Sequence, residues 1–209
     1  MNEVSSQLCT AFAGTRQIAS GGLRQVASKA QESINSDNSA QVLIFDDISS
    51  EVIDVDLRGT PGDLSQRLAE METHAGGDRE PAAAGEGARK PGRPRLGVVA
   101  REVTLLPRHW DWLATQPGGA SVALRKLVEQ ARRANQGKDR LRVAQESAYR
   151  FISAMAGNEP GFEEATRAFF AGDRERFEML VELWPIDVGN HAKNLAGRAF
   201  ERAVTEPKA

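Results

Sequence analysis

Residues 42–64 read VLIFDDISSEVIDVDLRGTPGDL and contain two strand patterns followed by a helix start. The stretch opens with an apolar run typical of a buried strand, and turn residues follow at 46–50. In residues 51–59 apolar and acidic side chains alternate, which predicts a second strand. Thr60 then predicts the N-cap of a helix whose first helical residue is Pro61. Two strands followed by a helix indicate an α+β fold.

The residues before this stretch extend the same pattern. Side chains alternate with a period of two over residues 8–13, and a tight turn leads into a second short strand at 16–20. Apolar residues from Leu23 to Ile34 then recur at helical spacing. The predicted order is ββαββα, and it forms an α+β domain over residues 1–72.

The rest of the chain divides into three further segments. Residues 73–97 are rich in Gly, Ala and Pro and almost free of large apolar side chains, so we expect a flexible basic linker. Residues 98–136 predict a strand-helix-turn-helix unit, in which Pro107 starts one helix and residues 117–119 end it. Residues 137–209 carry several apolar stripes at helical spacing and predict a helical domain.

Charge is distributed unevenly over the 209 residues. The whole chain has a formal net charge of −2, yet residues 89–133 hold ten basic and three acidic side chains. Such local positive charge favours a polyanionic partner, usually a nucleic acid. Cys9 is the only cysteine, which suits a reducing compartment. Because no apolar run is long enough to span a bilayer, we predict a cytoplasmic protein without a membrane partner.

The segment Lys90–Arg95, KPGRPR, is similar to an AT-hook. In that motif a Gly-Arg-Pro core lies in the minor groove of A·T-rich DNA, where arginine enters a narrow and strongly negative space. Pro91 stands where the motif usually has arginine. The alternative is a solvated basic linker. The basic residues of this arm are Arg89, Lys90, Arg93 and Arg95.

Residues 98–134 resemble a ribbon-helix-helix DNA-binding domain, in which strands from two subunits pair, so a homodimer is compatible with the sequence. The predicted strand, however, has no row of polar side chains to read bases, and Glu102 would be repelled by phosphate. We therefore expect contacts to phosphates instead, from a helix N-terminus capped by Ser121 and from a basic row. That row is Arg125, Lys126, Arg132 and Arg133. The alternative is a helical hairpin with solvated charges.

Two tryptophans lie within this unit. Trp110 and Trp112 are two residues apart, so they cannot share one helix face. We expect Trp110 in the core and Trp112 half-exposed, where it would serve an interface or a stacking platform.

No sequence pattern points to catalysis. Phosphate-binding, dinucleotide-binding and nucleophile-elbow motifs are absent, and one cysteine with three dispersed histidines makes no zinc signature. Acidic residues such as Asp54, Asp56 and Asp63 could be imagined around Mg²⁺, but a polar sheet face is the simpler interpretation. We therefore predict a non-enzymatic protein without cofactor or metal.

Several segments together resemble the uncharacterised bacterial family called domain of unknown function 2239. They are the long tryptophan-containing segment 92–133, the opening TAFAGTRQIASG, the VLIFDD and VDLRG segments, and FFAGDRERFEMLVELWPIDV near the C-terminus. The resemblance covers nearly the whole chain. It implies a bacterial protein but no activity, catalytic residue or ligand.

Two functional hypotheses follow from these patterns. In the first, the chain is a non-enzymatic DNA-binding or regulatory protein that prefers A·T-rich duplex. In the second, it is an adaptor that binds a protein partner and has no nucleic-acid activity.

Overall fold

The computed structural model describes residues 8–36, 41–75 and 101–205. Within these ranges lie a small antiparallel sheet and seven helices, which confirms the predicted α+β class. None of the helices in these ranges is long and apolar enough to cross a membrane. The elements in chain order are β1 (Leu8–Ala13), β2 (Arg16–Gly22), α1 (Leu23–Ser36), β3 (Val42–Asp46), α2 (Pro61–Ala75), α3 (Pro107–Ala114), α4 (Gly119–Ala156), α5 (Phe162–Ala171), α6 (Arg174–Val181) and α7 (Ile186–Thr205).

The sheet has the order β2-β1-β3, and both pairings are antiparallel. The predicted strands at 8–13 and 16–20 are confirmed, and the second continues to Gly22. Gly14 turns between them with φ +56°, a left-handed conformation that glycine adopts at little cost. Because β1 is central, its main chain is hydrogen-bonded on both sides.

The sheet is covered on both faces. Alternate side chains of β1, Cys9 and Ala11, pack in one apolar cluster with residues of α1 and α2 such as Val26 and Leu64. The side chain of Phe12 points the opposite way and joins a larger cluster formed with the C-terminal helices. This two-sided burial explains why β1 is buried at four consecutive positions, 9–12.

The chain divides into two compact units. Unit 1 comprises residues 1–79 and 137–209, and unit 2 comprises residues 80–136. We had predicted separate domains at 1–72 and 137–209, but one core joins them. A three-stranded sheet covered by helices on one face only would leave its second face in water, so the C-terminal helices complete the same domain.

Aromatic contacts show how closely those two parts of unit 1 pack. The ring of Phe151 on α4 lies 5.4 Å from that of Phe12 and 5.1 Å from that of Phe45, measured between centroids. At the sheet edge, the main-chain N–H of Gln17 donates to Asp187 Oδ2 at 2.9 Å. Asp187, in the first turn of α7, therefore binds β2.

The predicted strand at residues 51–59 is not formed. A single bridge joins Val52 to Phe45, and the Ile53 N–H donates to the Ile44 carbonyl at 2.8 Å. Beyond residue 53 the segment pairs with no strand among the described residues. Its apolar alternation persists, since Ile53, Val55 and Leu57 pack on the cluster around α1. The side-chain amide of Gln31 donates to the carbonyls of Leu57 and Gly59, so these acceptors are satisfied by a side chain instead of a β-ladder.

Capping residues mark helix boundaries in two places. Thr60 and Asp63 bond reciprocally at the start of α2: the Thr60 N–H donates to Asp63 Oδ2 at 2.8 Å, and the Asp63 N–H donates to Thr60 Oγ1 at 3.3 Å. This confirms the predicted Thr60 cap. Gly172, with φ +77°, ends α5, and the Asp173 carboxylate accepts from the Arg176 N–H at 3.1 Å.

Helix α4 is longer than we expected. Its 38 residues cross the boundary between residues 136 and 137, where we had divided two domains. Gly137 lies inside it. One glycine in a helix interior costs only about 1 kcal/mol relative to alanine, which is not enough to end a helix of this length.

Candidate nucleic-acid interface

Two helices and a glycine turn build unit 2 in its described part, residues 101–136. Helix α3 begins at Pro107 and ends before residues 117–119, as predicted. Gly118 and Gly119 have φ +86° and +76°, so this turn requires left-handed backbone. Helix α4 then begins at Gly119, whereas an N-cap at Ser121 would have placed its first residue three positions later. Ser121 therefore lies in the first turn of α4 and is not its N-cap.

The predicted strand of this unit is not assigned. Residues 98–100 lie outside the described ranges, and residues 101–106 form no strand. In the described part of the chain, no main-chain hydrogen bond joins residues 101–105 to another segment. A strand requires a neighbour, and none of the described strands lies beside this segment. The polypeptide is extended at Leu106, with φ −66° and ψ 149°.

Four cationic side chains lie along the first half of α4. They are all exposed, and the helix repeat places them on adjoining sides, since residues seven or eight apart lie two turns apart on one side of a helix. We call this surface the basic face, and it consists of Arg125, Lys126, Arg132 and Arg133. The sequence predicted these residues as a row, and the continuous helix brings them together.

One carboxylate is set among these cations. Glu129 Oε1 accepts from Arg132 and from Arg133, each at 3.0 Å. These hydrogen bonds lower the pKa of Glu129, and the same partner raises the pKa of Arg132. Sequence analysis counted Glu129 as an acid without giving it a partner, although its spacing of three and four residues is the signal for such pairs. The single negative charge of Glu129 is therefore paired with two arginines.

The other end of the basic face is arranged differently. Arg125 Nε donates to the carbonyl of Ser121 at 3.1 Å, a bond to a neutral acceptor that leaves the full positive charge of the guanidinium. Arg125, Lys126, Glu129, Gln130 and Arg133 line an open depression of about 460 Å³. Cations on its rim make the depression suitable for an anionic group.

The four basic residues of the arm cannot be placed relative to this face. Arg89, Lys90, Arg93 and Arg95 lie outside the described residues. Their assignment as an AT-hook-like arm remains a prediction from the sequence.

The two tryptophans of α3 are both exposed. Trp112 is 50% exposed, as predicted, but Trp110 is 42% exposed, so its predicted place in the core is wrong. The physical reason is the small size of the unit: of residues 101–136 only Leu113 and Ala123 are buried. Two short apolar stripes cannot enclose a side chain as large as tryptophan.

Two of the acidic residues considered for Mg²⁺, Asp56 and Asp63, have structural partners instead. Asp56 pairs with Arg58 at 2.9 Å and with Arg67 at 2.7 Å. The hydrogen bonds from Arg58 hold the pKa of Asp56 at about 2. Asp63 caps α2 through Thr60. Across the described ranges, no three His, Cys, Asp or Glu side chains are grouped so that they could hold a metal ion.

Unit 1 contains a polar cluster that sequence analysis did not identify. Ser50 has φ +53° and is fully buried, and its hydroxyl lies 2.8 Å from that of Ser147 on α4. Nearby, Thr10 Oγ1 donates to Asp47 Oδ1 at 2.7 Å, and an arginine on α7, Arg198, donates to the Asp47 carbonyl. These hydroxyls are mutually satisfied and closed to solvent, so they hold the loop after β3 against the helices.

His191 lies beside this cluster. Its ring is 4.5 Å from that of Phe151 and 5.5 Å from that of Phe12, measured between centroids. Desolvation lowers the pKa of His191, an effect that the charge of Asp47 opposes and that of Arg198 reinforces. The imidazole therefore packs as a neutral aromatic ring.

Comparison with known proteins assigns the chain to a family. No curated protein and no solved structure shows significant similarity to it. The sequence model of one family, described as an uncharacterized protein conserved in bacteria, matches residues 8–196. That range includes both units and nearly all the described elements. The chain therefore belongs to this bacterial family, domain of unknown function 2239.

Proposed function

We propose that the chain is a non-enzymatic DNA-binding or regulatory protein that holds duplex DNA by its phosphates. The basic face of α4 would contact the backbone, and the arm Lys90–Arg95 would enter the minor groove of A·T-rich DNA. The observation that carries the proposal is the charge of the basic face, where four exposed cations have one carboxylate among them.

The free charge of this face supports binding to a polyanion. Arg132 and Arg133 share Glu129, and their side chains remain 73% and 77% exposed. Exposed ion pairs of this kind contribute little to stability, so the arginines can be drawn to a phosphate at small cost. Each phosphate contact releases condensed counterions, which is the main source of non-specific affinity for DNA.

The length of the face also fits a duplex. From Arg125 to Arg133 the helix rises about 12 Å, at roughly 1.5 Å per residue. Because one DNA strand carries a phosphate about every 3.4 Å along the helix axis, this span covers several phosphates. The N-terminus of α4 lies two residues before Ser121 and adds a partial positive charge at the same end.

Base reading is not part of the proposal. Residues 101–106 carry Arg101, Glu102 and Thr104 but no row of polar side chains on one side. Phosphate contacts position a protein without reading sequence. The preference for A·T-rich DNA would therefore come from the arm, through groove width and the Gly-Arg-Pro core.

A salt titration of duplex binding tests this proposal. Fluorescence anisotropy with an A·T-rich and a G·C-rich duplex would give log K against log salt for the full chain. Replacing Arg125 and Lys126 by glutamine should weaken binding to both duplexes and make the slope shallower by about 2, roughly 0.9 for each lost contact. Replacing Arg93 and Arg95 by alanine should reduce the preference for A·T-rich DNA.

A charge-matched control separates local contact from overall charge. Arg167 and Arg174 are exposed arginines on α5 and α6, each paired with a glutamate. Replacing both by glutamine removes the same charge and should leave the slope unchanged. The proposal fails if the wild-type chain does not bind at low salt, or if the control weakens binding as much as the α4 variant.

A protein-interaction adaptor is the second candidate function. Three large apolar side chains between α6 and the start of α7 support it: Met179, Leu183 and Ile186 are 68%, 66% and 78% exposed. Large apolar side chains that form one exposed patch often mark a binding surface for another protein. A protein partner whose binding resists nuclease would support the adaptor, provided that two variants behave differently. Replacing Met179 and Leu183 by serine should abolish the binding, whereas replacing the exposed Ile48 should preserve it.

A further inference from the structure

The depression beside the basic face also contains a neutral polar side chain. Gln130 lines it together with Arg125, Lys126, Glu129 and Arg133. All five residues belong to one continuous stretch of α4. At roughly 100° per residue, they lie within about 140° of one another around the helix axis. Gln130 therefore shares one side of α4 with cations that the proposed function assigns to phosphates.

The side chain of Gln130 is exposed and available to a ligand. Within the described part of the chain, no residue hydrogen-bonds to its amide. Glu129 differs, because its carboxylate is already bonded to Arg132 and Arg133. An amide carries both an N–H donor and a carbonyl acceptor. Gln130 is therefore the group in the depression that can recognise a neutral donor and acceptor together.

The stretch of α4 around the depression is exposed on all its sides. None of residues 125–136 is buried, and all of them except Glu129 are exposed. These residues span about 18 Å at roughly 1.5 Å per residue. A helix with its side chains is about 10–12 Å across, and the major groove of B-DNA is about 12 Å wide. The stretch is therefore of a size to lie in that groove.

We propose that residues 125–136 of α4 lie in the major groove of duplex DNA and that Gln130 hydrogen-bonds to an adenine there. This inference rests on the proposed function and adds one base contact to its phosphate contacts. Adenine presents the N7 acceptor and the N6 amino donor side by side, and a glutamine amide matches both. Guanine presents two acceptors at the same edge, so the amide carbonyl would be left without a donor.

The charges around Gln130 are consistent with this position. Lys126 lies four residues before Gln130 and Arg133 three residues after it, so the three follow one side of the helix. The longer cationic side chains would reach the phosphates that border the groove, while the glutamine faces the bases. Four cations and one carboxylate, Glu129, leave this part of α4 with a net positive charge.

Replacing every adenine of the A·T-rich duplex by 7-deazaadenine tests this contact. The change removes the N7 acceptor from the major groove and leaves the minor-groove edge, which the arm Lys90–Arg95 would contact, unaltered. Fluorescence anisotropy of the full chain at low salt would compare the two duplexes. The wild-type chain should bind the modified duplex about fivefold or more weakly, the lower end of the loss expected for a bidentate base contact.

Two glutamine variants provide a matched comparison. Gln130→Ala should bind both duplexes equally within about twofold, since it lacks the amide that distinguishes them. Gln136 is an exposed glutamine of the same helix, about 120° away around the axis. Gln136→Ala should therefore lose as much affinity for the modified duplex as the wild-type chain does. Alanine favours the helix at both positions, so α4 should stay folded in both variants.

Each outcome decides the proposal. Equal binding of the wild-type chain to both duplexes overturns the Gln130 contact, and if that binding keeps the expected salt slope, the proposed function stands. A loss in Gln130→Ala as large as in the wild-type chain also overturns the contact, because another group would then recognise N7. The same holds if Gln136→Ala behaves like Gln130→Ala. Absence of binding to either duplex refutes the proposed function and the base contact together.

Discussion

Unit 1 and unit 2 differ in what holds each of them together. Unit 1 encloses a sheet between helices, and aromatic rings such as Phe12, Phe151 and Phe177 are fully buried in its core. Unit 2, in residues 101–136, buries only Leu113 and Ala123. The short helix α3 has eight residues, a length that is marginal without packing. The difference teaches that many buried contacts hold unit 1 together, whereas the described part of unit 2 has few of them.

The largest expected effect is on the free energy of unfolding, and it is measured by substituting one buried residue in each unit. Phe151→Ala should lower the free energy of unfolding of unit 1 by about 3–5 kcal/mol, because it removes a ring that contacts both sheet phenylalanines. Leu113→Ala should leave that transition unchanged within about 0.5 kcal/mol, since it lies in a separate unit. Urea unfolding, monitored by hydrogen exchange that is resolved by peptide, measures the effect of each substitution on each unit.

This experiment also shows whether the division into units is real. Peptides from residues 101–136 should exchange faster than those from residues 141–200, because few buried contacts protect them. If Leu113→Ala instead destabilises unit 1 by as much as Phe151→Ala, the two units unfold as one. That result would contradict the difference in stability between them.

A smaller effect is expected at the buried hydroxyl pair of unit 1. Ser147→Ala leaves the Ser50 hydroxyl buried without its partner, and should cost about 1–3 kcal/mol in thermal or urea unfolding. Adding Ser50→Gly should recover much of this loss, since it removes the orphaned hydroxyl and suits the positive φ. A double variant that is less stable than Ser147→Ala would contradict this account of the loop.

The smallest effect concerns the pH dependence of unit 1. The pKa of His191 is lowered in the folded chain, so below its ordinary value of about 6.5 the unfolded chain binds a proton that the folded chain does not. Stability should therefore be complete above that pH and fall as the pH drops toward the folded pKa. Unfolding at pH 7.5 and 5.5 measures the fall, and His191→Phe should reduce it. A fall of equal size in the variant would assign it to other groups.

The fold class and several boundaries could be predicted from local chemistry. Strands β1 and β2, the start of α1, the Thr60 cap and the Pro107 helix start all follow from periodicity, turn residues or capping, which act within a few residues. The strand predicted at 51–59 failed because a local alternation does not say whether a neighbour is available. There the Gln31 side chain takes the place of a β-ladder.

Some features of the candidate site could likewise be predicted from the sequence, and others could not. Its basic row could be predicted, because charge and helical spacing are properties of the sequence. The role of Glu129 needed side-chain positions, and the exposure of Trp110 needed the size of the unit that surrounds it. The arm at Lys90–Arg95 stays a prediction from the sequence, since it lies outside the described residues.

The sequence by itself determined the family and the α+β class. It also determined the isolated positive charge and the Thr60 cap, because these depend on residues close together in the chain. Only the tertiary structure decided that the sheet and the C-terminal helices share one core, and that Trp110 of unit 2 stays exposed. The physical reason is that burial depends on contacts between residues far apart in sequence, such as Phe12 and Phe151. No local pattern specifies which surface will cover another.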